Sequence, residues 1–123
     1  MPTIPAPLLK QLYSRGSLRN TAAGWEFQMR NPLATAQLIG IGLTCDGAAV
    51  PATAIGVQQA DLPAPRPATA ITADAPLAFA VGVTTVVQVS GAHLTSGPHA
   101  LSIRADTREI GSVTIAVRDT VAE

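Results

Sequence analysis

Charge is scarce in this chain of 123 residues: Asp, Glu, Lys and Arg together make up 13%. The eight basic and eight acidic residues cancel to a formal charge of zero. That removes the electrostatic footing which nucleic acid or an anionic membrane surface requires. Aromatic residues are scarcer still, with one Trp, one Tyr and two Phe, so an element that holds two of them is marked out. A single cysteine, Cys45, excludes an intrachain disulfide and points to a reducing, cytoplasmic setting. No apolar run nears the ~20 residues that span a bilayer, and no hydrophobic leader opens the sequence. No stretch keeps the helical apolar period over several turns, which excludes the crossover helices of a βαβ fold.

What is present is a succession of short alternating runs. In Gly24–Arg30, Trp25, Phe27 and Met29 fall on one side of a strand and Glu26, Gln28 and Arg30 on the other. In Gln37–Cys45, Ile39, Ile41, Leu43 and Cys45 share one face, while Gly40 and Gly42 permit a bulge or a close approach on the other. Asp46-Gly47 is a strong hairpin signal leading into Ala48–Val50. Short strands are predicted at Ala54–Val57 and Ala70–Thr72, followed by alternation of Leu77, Phe79 and Val81. Thr84–Ser90, Ala100–Ala105 and Gly111–Val117 read as strands, with a long turn over Ala92–His99.

Prolines punctuate this pattern. Pro51, Pro63, Pro65 and Pro67 exclude a helix or central strand and make 60–69 a proline-rich loop. Pro2, Pro5 and Pro7, with the Gly16-Ser17 break, favour an irregular, strand-like arm over 1–11; Leu8, Leu9, Leu12 and Tyr13 would dress a helical turn or an edge strand. The sum is one all-β domain over 1–123, an antiparallel β-sandwich of about seven or eight strands. At this length about two thirds of the extended surface is buried on folding, enough for a core without staples. The weakly charged surface that remains favours cover by a partner.

Chemistry-bearing residues are few. His93 and His99 lie in one loop, and a metal there would need a third ligand such as Asp74 or Asp106. Nothing in the spacing demands one, so both read as turn and surface histidines, able to meet a backbone carbonyl. Cys45 reads as buried filler on the apolar face of its strand rather than as a nucleophile. Glu26, Asp46, Asp61, Asp74, Asp106, Asp119 and Glu123 show no catalytic pair spacing. Gly40 and Gly42 lack the lysine and the glycine spacing of a phosphate loop. Trp25 reads as core rather than as a sugar platform, and Tyr13 and Arg15 as partner-contact positions on an edge element. No catalytic, cofactor-binding or metal-ligating residue is therefore nominated.

The blocks Leu12–Thr21 and Gly24–Asn31, continuing through Leu33-Ala34, Ile39-Gly40-Ile41 and Asp46-Gly47, resemble the small β subunit of bacterial C-glycoside deglycosidases. So do Thr72–Leu77, Val81-Gly82 and the Gly91…Leu94…Gly97-Pro98-His99 pattern. The resemblance implies an accessory β-sandwich in a carbon–carbon lyase. Its partner would be a larger, sugar-isomerase-like TIM-barrel α subunit, joined to it in a higher hetero-oligomer. That partner would carry the divalent metal, manganese, and the reacting groups. The substrate would be a 3-oxo-C-glycoside, from which removal of the C2 proton expels the aglycone by β-elimination. No residue here matches a catalytic one. Tyr13, Arg15, Trp25, Phe27 and Arg30 are nominated as structural or interface positions. The alternative is a free-standing β-sandwich that binds carbohydrate or protein.

Overall fold

In the computed structural model, which describes residues 6–33, 35–60 and 62–121, the alternating runs become two antiparallel sheets. In chain order the strands are β1 (Arg19–Asn20), β2 (Gly24–Arg30), β3 (Ala36–Cys45), β4 (Ala48–Ala49), β5 (Ile55–Gln59), β6 (Arg66–Pro67), β7 (Leu77–Phe79), β8 (Thr84–Ser90), β9 (Gly97–Thr107) and β10 (Gly111–Val121). One sheet runs β1-β2-β8-β5-β6; the other runs β10-β9-β3-β4, with β7 also paired to β3. This is the expected all-β sandwich. The strand count exceeds seven or eight because β1, β4 and β6 are pieces of two residues each.

The core forms where the inner faces meet. Phe27, Val57 and Val87 from one sheet face Leu101, Ile103 and Ile115 from the other, and all six are essentially inaccessible to solvent. Tyr13 and Trp25 flank Phe27 with ring centroids 5.5 and 6.4 Å away. The alternation in β2 thus places Trp25, Phe27 and Met29 inside, as expected. The burial patterns of β8, β9 and β10 match their sequence alternation in the same way.

Four local expectations are corrected. Ile39 does not join the inner face, because the β3–β9 register slips between Leu38 and Gly40. The extra residue of that bulge moves Leu38 inward in its place, alongside Ile41 and Leu43. Gly40 and Gly42 do meet a close approach, but from side chains of β9. A Cβ on Gly40 would lie 2.6 Å from Asp106 Oδ2, and one on Gly42 2.9 Å from Arg104 Cζ.

Ala70–Thr72 is no strand. A 3₁₀ turn over Ala68–Ala70 carries the chain from the β6 sheet towards the β7 sheet, and buried Ile71 anchors the crossing. Val81 is half exposed, since β7 ends at Phe79 and Gly82 turns the chain with φ +83°. The strand-like arm is replaced by a helical turn, α1 (Ala6–Leu9), that tightens into a 3₁₀ turn over Lys10–Leu12. The three-residue spacing of Leu9 and Leu12 puts both on the buried side, and a proline is tolerated in a first turn. Pro2, Pro5, Asp61 and Glu123 lie outside the described residues. Among the described residues no helix is long and apolar enough to cross a membrane.

Candidate metal centre

The hairpin between β3 and β4 has a two-residue loop, since Cys45 pairs with Ala48. Asp46 and Gly47 take φ of +52° and +83°, the left-handed pair that a tight hairpin of this twist needs and that Asp and Gly supply at least cost. On its other side β3 pairs with β9 in a register that sets Cys45 opposite Leu101. One step further along, the loop meets the start of β9. The Asp46 backbone N–H donates to the Ala100 carbonyl at 2.8 Å, and Asp46 Oδ1 accepts the Ala100 N–H at 2.8 Å. Asp46 Oδ2 then lies 2.6 Å from His99 Nδ1 and 3.8 Å from Cys45 Sγ. One donor atom from each of Cys45, Asp46 and His99 falls within 4.8 Å of the others.

The surroundings set the protonation states. A carbonyl can only accept, so His99 Nε2 carries the hydrogen that bonds Thr95 O at 2.7 Å. Nδ1 is left facing a carboxylate, and two bare lone pairs at 2.6 Å would repel. In the metal-free protein a proton therefore sits between them. The Thr95 carbonyl and the Asp46 carboxylate raise the His99 pKa against the opposing effect of burial. The Ala100 N–H, and then His99, hold the Asp46 carboxyl below its ordinary value. Burial, and then the Asp46 charge, push the Cys45 thiol up. Without a cation Cys45 is thus a protonated thiol and a poor nucleophile. A divalent ion inverts that preference, because thiolate, neutral imidazole and carboxylate are the forms that bind it. The donor set of one sulfur, one nitrogen and one oxygen fits a borderline ion such as zinc.

His99 is a buried ligand candidate here rather than a surface histidine. It does not meet His93, whose Nε2 lies 2.6 Å from Thr21 O. Neither Asp74 nor Asp106 supplies the further ligand: Asp106 is engaged with Arg104 at 3.3 Å and with the Ser112 hydroxyl at 2.6 Å. The donors missed from sequence were Cys45 and Asp46. The signal available was the turn pair directly after the cysteine, in a strand able to pair with the one that begins at Gly97.

Of the remaining candidates, Trp25 and Phe27 are in the core, while Arg15 and Arg30 are exposed. Tyr13 is buried, and its hydroxyl donates to Asp119 Oδ2 at 2.7 Å. Burial and then the Asp119 carboxylate push the Tyr13 pKa far up.

The family model of the hydroxymethylglutaryl-CoA reductase N-terminal domain matches residues 8–122. The chain belongs to that family. No curated protein matches it. The family assignment overturns the likeness to C-glycoside deglycosidase β subunits, and with it the role as a subunit of a carbon–carbon lyase.

The motifs behind that likeness have an architectural explanation. The single side-chain amide of Asn20 clamps Leu94, its Nδ2 donating to the Leu94 carbonyl and its Oδ1 accepting the Leu94 N–H, at 2.8 Å each. Gly24 is required because a Cβ there would collide with the Val89 carbonyl. Trp25 and Phe27 fill the core. These residues build the sandwich. The expectation that any ion would sit in a partner, with no ligand set in this chain, is likewise corrected by the convergence of Cys45, Asp46 and His99.

Proposed function

We propose that this chain is a metal-holding protein-interaction domain of the hydroxymethylglutaryl-CoA reductase family. The observation that carries the reading is the meeting of three chemically different donors at one hairpin tip. Three protein ligands leave the fourth position of a tetrahedral ion for water or for a side chain of a docking protein. Bound there, the ion would act as a Lewis acid on whatever oxygen occupies that position. His99, buried, and Cys45, half-buried, would hold the ion from the sandwich side, and Asp46, exposed on the turn, from the solvent side. Of the two occupants of the alternative reading, protein is favoured over carbohydrate. All four aromatic side chains, Tyr13, Trp25, Phe27 and Phe79, are buried, so no ring offers a sugar a stacking face. The compartment proposed is the cytoplasm, where the lone thiol of Cys45 stays reduced.

Cobalt(II) is the direct probe, because thiolate ligation gives a near-ultraviolet charge-transfer band. The chelator-treated chain is expected to take up one equivalent and develop that band, and Cys45→Ser is expected to lose it. Failure of the wild-type chain to show a thiolate band at micromolar cobalt would end the metal reading. The interaction reading is tested by sedimentation of the zinc-loaded chain with a reductase polypeptide of the same family, where the absence of any complex counts against it.

A further inference from the structure

The chain has eight cationic side chains, and half of them are engaged within the fold. Arg19 pairs with Glu26 at 2.7 Å and Arg104 with Asp106 at 3.3 Å. Arg66 donates to the carbonyls of Ala70, Ala75 and Pro76, and Arg108 to that of Ala73. The other four, Lys10, Arg15, Arg30 and Arg118, make no ion pair or side-chain hydrogen bond with the described residues. Three of these four line a single depression of about 810 Å³ against β9 and β10. Unpaired positive charge is therefore concentrated at one place on a molecule whose total charge is zero.

The arrangement is held by Asp119, the one carboxylate in the lining. Its Oδ2 accepts the Tyr13 hydroxyl at 2.7 Å and the backbone N–H groups of Gly16 and Leu18 at 2.9 and 3.3 Å. Its Oδ1 accepts the N–H of Thr120 at 2.8 Å. With both oxygens committed, Asp119 pins the turn that carries Arg15 to the strand position beside Arg118. Lys10 joins from the 3₁₀ turn, whose carbonyl accepts the Tyr13 N–H at 3.2 Å. The floor between the cations is made of small side chains such as Ser102 and Ala116, which leave room for a ligand group to approach.

We propose that this depression binds the phosphate group of a small phosphorylated molecule, with Arg15 and Arg118 as a two-sided clamp and Lys10 as a third charge. Two guanidinium forks match a phosphate's oxygens better than a single carboxylate's, and an ammonium adds a point charge. A nucleic acid strand is disfavoured as occupant, because the site has no exposed ring on which a base could stack. The depression adjoins the Cys45–Asp46–His99 turn, with Thr44, Gly47 and Ala100 in its lining, but none of the three donors lines it, and the proposal does not depend on metal.

Inorganic pyrophosphate, titrated into the metal-free full chain at low ionic strength, tests it by amide chemical-shift mapping and calorimetry. Shifts are expected at residues 10, 15–16 and 118–120. Arg15→Gln combined with Arg118→Gln is expected to weaken binding at least tenfold, while Arg30→Gln leaves it unchanged. All three substitutions are at exposed positions, and an unchanged thermal midpoint verifies that the fold persists. Equal weakening by Arg30→Gln, shifts spread over the whole surface, or no binding at millimolar pyrophosphate would each overturn the proposal. A nucleoside diphosphate that binds more tightly than pyrophosphate at the same residues supports it and identifies a larger ligand. Binding only to long single-stranded nucleic acid overturns it.

Discussion

Two carboxylates in this molecule are built alike and do different work. Asp46 and Asp119 each accept a backbone N–H on one oxygen and face a titratable side chain with the other. At Asp119 the facing group is a buried tyrosine hydroxyl. Its proton is held ever more firmly by burial and by the carboxylate, so the junction stays closed at every physiological pH and serves to dock residues 13–18 on β10. At Asp46 the facing group is an imidazole, whose proton is held more firmly than usual by the Thr95 carbonyl and the Asp46 carboxylate but can be displaced by a cation. What remains is a bare nitrogen, a carboxylate oxygen and a thiol within 4.8 Å. The same hydrogen-bonded unit is thus a rivet in one place and a ligand set in the other, and the pKa of the partner decides which.

The contrast breaks most visibly at Asp119. Asp119→Ala removes the acceptor of three hydrogen bonds on Oδ2 and should cost about 2 kcal/mol in urea unfolding, since a half-buried hydroxyl and two N–H groups lose their partner. No comparable loss is expected at the hairpin tip. Tyr13→Phe keeps the ring in the core and deletes one bond, for a smaller loss of about 1 kcal/mol.

The pH profile sharpens the same point. Burial raises the Asp119 pKa, but the Tyr13 hydroxyl and three backbone N–H groups outweigh it and hold the folded value below the ordinary 3.8. Its stabilisation is therefore present above 3.8 and lost as pH falls through the folded value. Tyr13, raised from 10.0, contributes stability that is present below 10.0 and lost as pH climbs towards its folded value. Stability should fall at both ends, and His99, raised from 6.5, adds a contribution that is present below 6.5 and lost as pH rises through its folded value. Asp119→Asn should flatten the acid limb, and Tyr13→Phe the alkaline one.

The smallest change in stability, paired with a large change in binding, is expected for Asp46→Asn. Asn tolerates the left-handed turn, can still accept the Ala100 N–H, and can donate to neutral His99 Nδ1. Urea midpoints should barely move, while cobalt affinity falls at least tenfold.

The legible parts of the fold were those set by local pattern. Two-residue alternation announced β2, β8, β9 and β10, and the Asp46-Gly47 pair announced its hairpin. The bulge at Ile39 was half visible in the neighbouring glycines, but which residue would slip depends on where β9 places Arg104 and Asp106. Residues 68–72 carried a β-like composition. They became a crossing because their neighbours on either side belong to opposite sheets.

The site was less readable than the fold. Its ligands come from positions 45, 46 and 99, and no spacing rule links residues so far apart. Family likeness misled for a related reason: turn and strand motifs such as Asn20, Gly24 and Trp25 report how a sandwich closes, which many unrelated functions share.

By itself, then, the order of residues determined the layer architecture, the inward stripe of each long strand and the tight turn at Asp46-Gly47. These follow from side-chain direction and backbone preference over a few residues. Only the tertiary structure decided that Cys45 and Asp46 would find His99, that Asp119 would gather Arg15 beside Arg118, and that Tyr13 would be buried. Those outcomes rest on strand register, which is set by how two whole sheets pack and is invisible to any window of sequence.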